Sequence, residues 1–275
     1  MSIQPDNTPP ENPPPEIVNT PAEMGPPPVT PPPPKPGVWE GWPTVGFGAA
    51  IFAVYFVTQS IVAVIFAIGK LINTAANDVT QAVSALATNG LLISMATIVS
   101  AIVGVGFIVL FIKIRHGPGI AEYLGLKSVR GKTFLALIGV IVVLLAVSAL
   151  LDRFSNSPED TGFTIDAYDT SRWPVLFGFA VVVFAPLFEE LFFRGFIFVG
   201  LQASKIGVAG AIILTSLAWA LLHLQYDPAG MATIFVLGIV FGIVRWKTNS
   251  LWSTLFLHAV WNLMALVATV IAVST

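Results

Sequence analysis

Seven stretches of this chain are long, apolar and almost free of charge, and no soluble fold can absorb them. No charge falls between Glu40 and Lys70, between Asp78 and Lys113, or between Lys132 and Asp152. A fourth block runs from Trp173 to Gln202, and three more cover Ile206–Gln225, Ala229–Val244 and Ser250–Val273. About 20 apolar residues at ~1.5 Å rise cross the hydrocarbon layer of a bilayer. Six blocks suit one crossing each. The fourth would reach roughly 45 Å as a single helix, so it must tilt, kink or protrude, with Pro186 and Gly195 as the weak points. Charged residues make up 10% of the chain against about 25% in a soluble domain, too few to cover a water-facing surface. The expected fold is therefore all-α: a polytopic bundle of about seven transmembrane helices. A net charge of −2 offers nothing to nucleic acid, and the absence of cysteine excludes disulfides, thiolate zinc sites and cysteine nucleophiles.

Residues 1–37 are of another kind. They hold 15 of the 21 prolines, which lack the backbone donor that helices and sheets need. A disordered, polyproline II-like tail is expected. Its start, MSIQPDNTPP, is polar and acidic, so the first span is expected to serve as an uncleaved membrane address. Basic residues cluster after the second span (Lys113, Arg115, Lys127, Arg130, Lys132), between the fourth and fifth (Lys205) and between the sixth and seventh (Arg245, Lys247). With seven alternating spans these fall on one side, which places the tail in the cytoplasm.

The fourth block carries Glu189, Glu190 and Arg194. Each charge at mid-bilayer costs roughly 2.5–3.5 kcal/mol on insertion scales, so each needs a partner. Glu190 and Arg194 are at i and i+4 and can pair on one helix face. Glu189 points about 100° away and needs a partner elsewhere. His116 belongs to a basic turn. His223 and His258 lie in apolar blocks, with Asn262 one turn after His258. Counted from the turn at Ser204–Gly207, Glu189 and His223 lie at matching depth. His258 reaches that depth only if this turn protrudes further than its own. A carboxylate beside an imidazole can take a proton from water attacking a carbonyl, while a second imidazole and an amide hold the oxyanion. Glu189 with His223, then His258 with Asn262, fits that division. A second scheme puts a divalent metal such as zinc on Glu189, His223 and His258, though the spacing is not that of HExxH. A proton or ion pathway is a third reading of the same residues.

These residues resemble a known family. EELFFR reads as the EExxxR motif of the CAAX protease and bacteriocin-processing (CPBP, or ABI) family of intramembrane proteases. WALLH resembles its second motif, with Trp219 where the family often has phenylalanine, and HAVWN resembles HxxxN. The resemblance covers roughly residues 172–270. It divides the chain into the tail (1–37), generic spans (38–170) and a catalytic transmembrane region (171–275). It implies an endopeptidase acting on a membrane-associated peptide or protein, with lipid as the surroundings. Glu189 would be the base paired with His223, His258 and Asn262 the oxyanion site, and Glu190 and Arg194 a brace. The family is classed with metalloproteases, but a metal-free glutamate mechanism is also argued for it. Eukaryotic members take prenylated C-terminal CaaX tails; many prokaryotic members serve bacteriocin immunity or peptide processing. A prokaryotic cell membrane is the expected location. The alternative is a non-catalytic immunity or scaffold protein.

Overall fold

The computed structural model describes residues 37–72, 79–154 and 162–274, with side chains left out at 151–154. The expected proline-rich tail lies outside the described residues, Gly37 apart. Those that are described belong to one compact unit, Lys35–Thr275. Among them there is no strand. The helices are α1 (Trp42–Leu71), α2 (Val79–Ser84), α3 (Gly90–Ile114), α4 (Ile120–Leu124), α5 (Gly131–Phe154), α6 (Gly162–Asp169), α7 (Pro174–Gln202), α8 (Gly207–Leu221), α9 (Pro228–Thr248) and α10 (Leu251–Ser274). Six of them, α1, α3, α5, α7, α9 and α10, are long and apolar enough to cross a membrane. Their outward surfaces are apolar, with Ile65, Leu135, Val143 and Ile271 among the exposed side chains. This is the surface of a protein solvated by lipid, and the chain is an integral membrane protein.

Three differences from the expected pattern have local causes. The second block divides into α2 and α3 because Asn89 caps α3, its side chain accepting the Leu92 N–H at 2.9 Å. The fifth block yields a helix of only 15 residues, about 22 Å and so short of a full crossing. It ends early because Asp227 and Pro228 start α9: the Asp227 carboxylate accepts the Gly230 N–H at 2.7 Å. The His223 ring meanwhile takes up the Trp219 carbonyl of the last turn at 2.8 Å. Third, the basic connection after α3 contains a short helix, α4, which closes on Gly125 in the left-handed region at φ 69°.

The overlong fourth block is one continuous helix, α7, with two π-type segments, Ala180–Phe184 and Glu190–Ile197. Each extra residue in a π turn rotates the turns after it and shortens the helix. One face of α7 packs on α1 and α3. Phe188 stacks on Tyr55 (ring centroids 4.0 Å apart) and on Phe192 (5.6 Å). Gly104 of α3 leaves room for it; a Cβ there would sit 2.5 Å from the Phe188 ring. The opposite face carries the charges toward α8, α9 and α10.

Candidate active site

The sequence-predicted brace is present. Arg194 Nη1 donates to Glu190 Oε1 at 3.1 Å, and both side chains are fully buried. Arg194 Nη2 reaches the Gly238 carbonyl of α9 at 3.4 Å, and its guanidinium lies 4.4 Å from the Trp219 ring centroid. Delocalised charge over an aromatic face is one of the few ways to hold an arginine at this depth.

His258 comes from α10 and sits between both carboxylates. Its Nδ1 is 3.0 Å from Glu190 Oε1, and its Nε2 is 3.8 Å from Glu189 Oε2. Glu190 is already paired with an arginine, so its oxygen acts as acceptor and Nδ1 carries the hydrogen. The distance from Nε2 to Glu189 is too long for a direct hydrogen bond and is an ion-pair contact only when His258 is protonated. Glu189 and His258 are thus brought to one place in the bundle. Glu189 lies 13 residues before the end of α7 and His258 7 residues after the start of α10.

Glu189 is the more open of the two glutamates, its side chain 19% exposed where that of Glu190 is sealed. Its Oε2 accepts the indole N–H of Trp219. Sequence reasoning noted Trp219 only as a substitution in the second motif and gave it no role. Trp219 is 3% exposed, bonds Glu189, faces Arg194, and presents its ring edge-on to His223 (5.4 Å) and His258 (5.1 Å). The available signal was chemical: tryptophan has a ring N–H that phenylalanine lacks, and a buried N–H seeks an acceptor.

His223 is brought to the same cluster through Trp219 rather than by a direct bond to Glu189. Its Nδ1 donates to the Trp219 carbonyl, which leaves Nε2 with the free lone pair. Its ring is half-buried at the end of α8, stacked 6.2 Å from Tyr226. Asn262 is placed one turn beyond His258 but is engaged elsewhere: its Nδ2 donates to the Val181 carbonyl at 2.9 Å. The cause lies in α7. In the π register Ala185 N–H bonds the Ala180 carbonyl, and the next bond would come from residue 186 to Val181. Pro186 has no N–H, so the side chain of α10 supplies the donor.

Arg245, by sequence a loop cation, is instead buried in the last turn of α9. It donates to the carbonyls of Arg194 (3.0 Å) and Leu124 (3.2 Å) and to Asn249 (3.1 Å). Metal binding fares differently. Among the described residues no three His, Cys, Asp or Glu side chains are grouped to hold an ion.

Residues 171–264 match the family described as type II CAAX prenyl endopeptidase Rce1-like. This segment is Rce1-like, consistent with a CPBP-family protease. No curated protein and no solved structure matches the chain. The Rce1-like segment begins just before α7 and ends in α10, so it contains every side chain of the cluster. The first three long spans lie outside it, yet α1 and α3 form the wall against which its first helix packs.

Proposed function

We infer that the chain is an intramembrane endopeptidase that hydrolyses a peptide bond of a membrane-associated peptide or protein. One observation carries this reading: a half-open carboxylate, Glu189, held by Trp219 and facing His258 beside a sealed ion pair, inside an Rce1-like segment. Glu189 takes a proton from a water molecule as its oxygen attacks the carbonyl carbon. The His223 Nε2 lone pair accepts the second hydrogen of that water and orients it. His258, hydrogen-bonded through Nδ1 to Glu190, turns Nε2 toward the developing oxyanion and stabilises it when that nitrogen carries a proton. Collapse of the tetrahedral intermediate breaks the C–N bond, and Glu189 returns its proton to the leaving amine. Asn262 keeps one N–H on the Val181 carbonyl and has a second N–H to offer the oxyanion.

The substrate class is inferred from the family's description: a C-terminal tail with a prenylated cysteine. The test is cleavage of a quenched-fluorescence peptide whose cysteine is S-farnesylated and followed by three residues, using detergent-purified protein. Wild type should release the fluorophore. Glu189→Ala and His223→Ala should each reduce turnover by about 10²–10⁴-fold. Undiminished cleavage by both variants would end this reading. Unfarnesylated peptide, cleaved equally well, would keep the protease and remove the prenyl requirement.

A second reading has its own observation. His258 and Asn262 both use their polar atoms to tie α10 to α7, as a non-catalytic immunity or scaffold protein would require. Under that reading Glu189→Ala and His258→Ala lower the unfolding temperature, and wild type cleaves neither peptide.

A further inference from the structure

At one end of the bundle, where α5 starts and α9 ends, lies a groove of about 670 Å³. Its rim carries Lys127, Arg130 and Lys132 from the α4–α5 connection and first turn of α5, and Lys247 from the last turn of α9. Thr133 and Thr248 add hydroxyls, and no acidic side chain is among the lining residues. All four cations are exposed, and none makes an ion pair among the described residues. Like charges so close repel one another, and nothing in the described protein offsets that cost. The proposed peptidase site makes no use of these residues.

We propose that this groove binds the headgroup of an anionic phospholipid. The phosphodiester would sit among the four cations, helped by the free N–H groups at the start of α5. Two further features favour a lipid over a free phosphate ion. The groove lies at the ends of two membrane spans, at the depth where headgroups meet hydrocarbon. Both spans then lead away from it along exposed apolar faces. On α5 these are Leu135, Ile138 and Val142, at i, i+3 and i+7; on α9 they are Val236, Ile243 and Trp246, at i, i+7 and i+10, which also share one helix face. Trp246 lies beneath Lys247, whose ammonium is 4.1 Å from the ring centroid. An aromatic at the interface next to a snorkelling lysine is the usual company of a headgroup.

The test is native mass spectrometry of the full chain in detergent with added phosphatidylglycerol, phosphatidylcholine or inorganic phosphate. Wild type should retain one phosphatidylglycerol in preference to phosphatidylcholine. The triple variant Arg130→Gln/Lys132→Gln/Lys247→Gln should bind it on the order of a hundredfold more weakly, from the summed loss of three interfacial cations. Lys132→Arg/Lys247→Arg, which keeps charge, should bind as wild type does. All four positions are exposed, and circular dichroism checks that the variants remain folded. Equal retention of the two lipids, or equal retention by the triple variant, would overturn the proposal. So would competition by inorganic phosphate at equal concentration, which would mark a site for a free anion, or lipid-independent binding of a glutamate-rich peptide, which would mark a protein interface.

Discussion

Glu189 and Glu190 are neighbours in sequence and opposites in chemistry, and the difference comes from what each side chain meets. Glu190 meets Arg194 and His258 in a sealed interior, and its carboxylate is committed to both. Removing its charge strands Arg194 without a counter-ion. Glu190→Gln should therefore cost about 3–5 kcal/mol of stability, read as a lower unfolding temperature in detergent. Glu189 meets an indole N–H and an open side. Trp219→Phe keeps the ring and its contacts with the two histidines but deletes the donor. A carboxylate that loses one of its hydrogen bonds is free to rotate away from the water it must activate. The expected result on the farnesylated peptide is a turnover lowered by about 10–10²-fold with KM little changed. A raised KM with unchanged turnover would show that Trp219 shapes the binding site instead.

At the scale of elements, α7 explains how a block too long for one crossing is accommodated. Its two π segments flank the Glu189 position, so the helix is locally unwound where its side chains must face three neighbours. Pro186 and the Asn262 side chain are then one device: the proline removes a donor and the asparagine replaces it. Asn262→Ala should cost about 1 kcal/mol by leaving the half-buried Val181 carbonyl without this partner. In a Pro186→Ala background the backbone N–H is restored, and the same substitution should cost much less. A double-mutant cycle on thermal stability measures the difference, and additive effects would show that the two residues act independently. Two glycines make room for large side chains from neighbouring helices. Gly104 admits Phe188, and Gly125 admits Arg245, whose Nη2 would lie 2.5 Å from a Cβ there.

For the whole molecule, the decisive contacts gather at the end that carries most of the basic residues. The Leu251 N–H donates to the Gly125 carbonyl at 2.9 Å, the Ser250 hydroxyl to the Lys127 carbonyl at 2.6 Å, and Arg245 to Leu124 and Arg194. These bonds set the start of α10 against the α4–α5 connection and with it the depth of His258. They also bring together the ends of α3, α5 and α9, so their lysines and arginines share one side. The positive-inside rule predicts that this side is cytoplasmic and that the α8–α9 turn beside His223 faces the other way. The chain has no cysteine of its own, which makes the test direct. Gln225→Cys should react with a membrane-impermeant maleimide in intact cells, and Lys205→Cys only after permeabilisation. The reverse pattern would invert the orientation and would open the proposed site to the cytoplasm.

Much of this was readable from residue order alone, for physical reasons. Bilayer thickness translates directly into the length of an uncharged block, so counting finds seven blocks, of which six are long spans and the fifth is a shorter helix. The helical period alone pairs Glu190 with Arg194. Depth counting brought His223 near Glu189, but whether they touch depends on side-chain rotation about two helix axes. Tertiary packing gave that place to the Trp219 indole. It also put His258 between two carboxylates and drew Asn262 to a carbonyl freed by a proline in another helix. It turned Arg245 from a loop cation into a buried clamp. Such partners are set by where one helix is raised or turned against another, and no periodicity within a single segment records that. The three charges in the fourth block announced that partners must exist; only the packed bundle decided which ones.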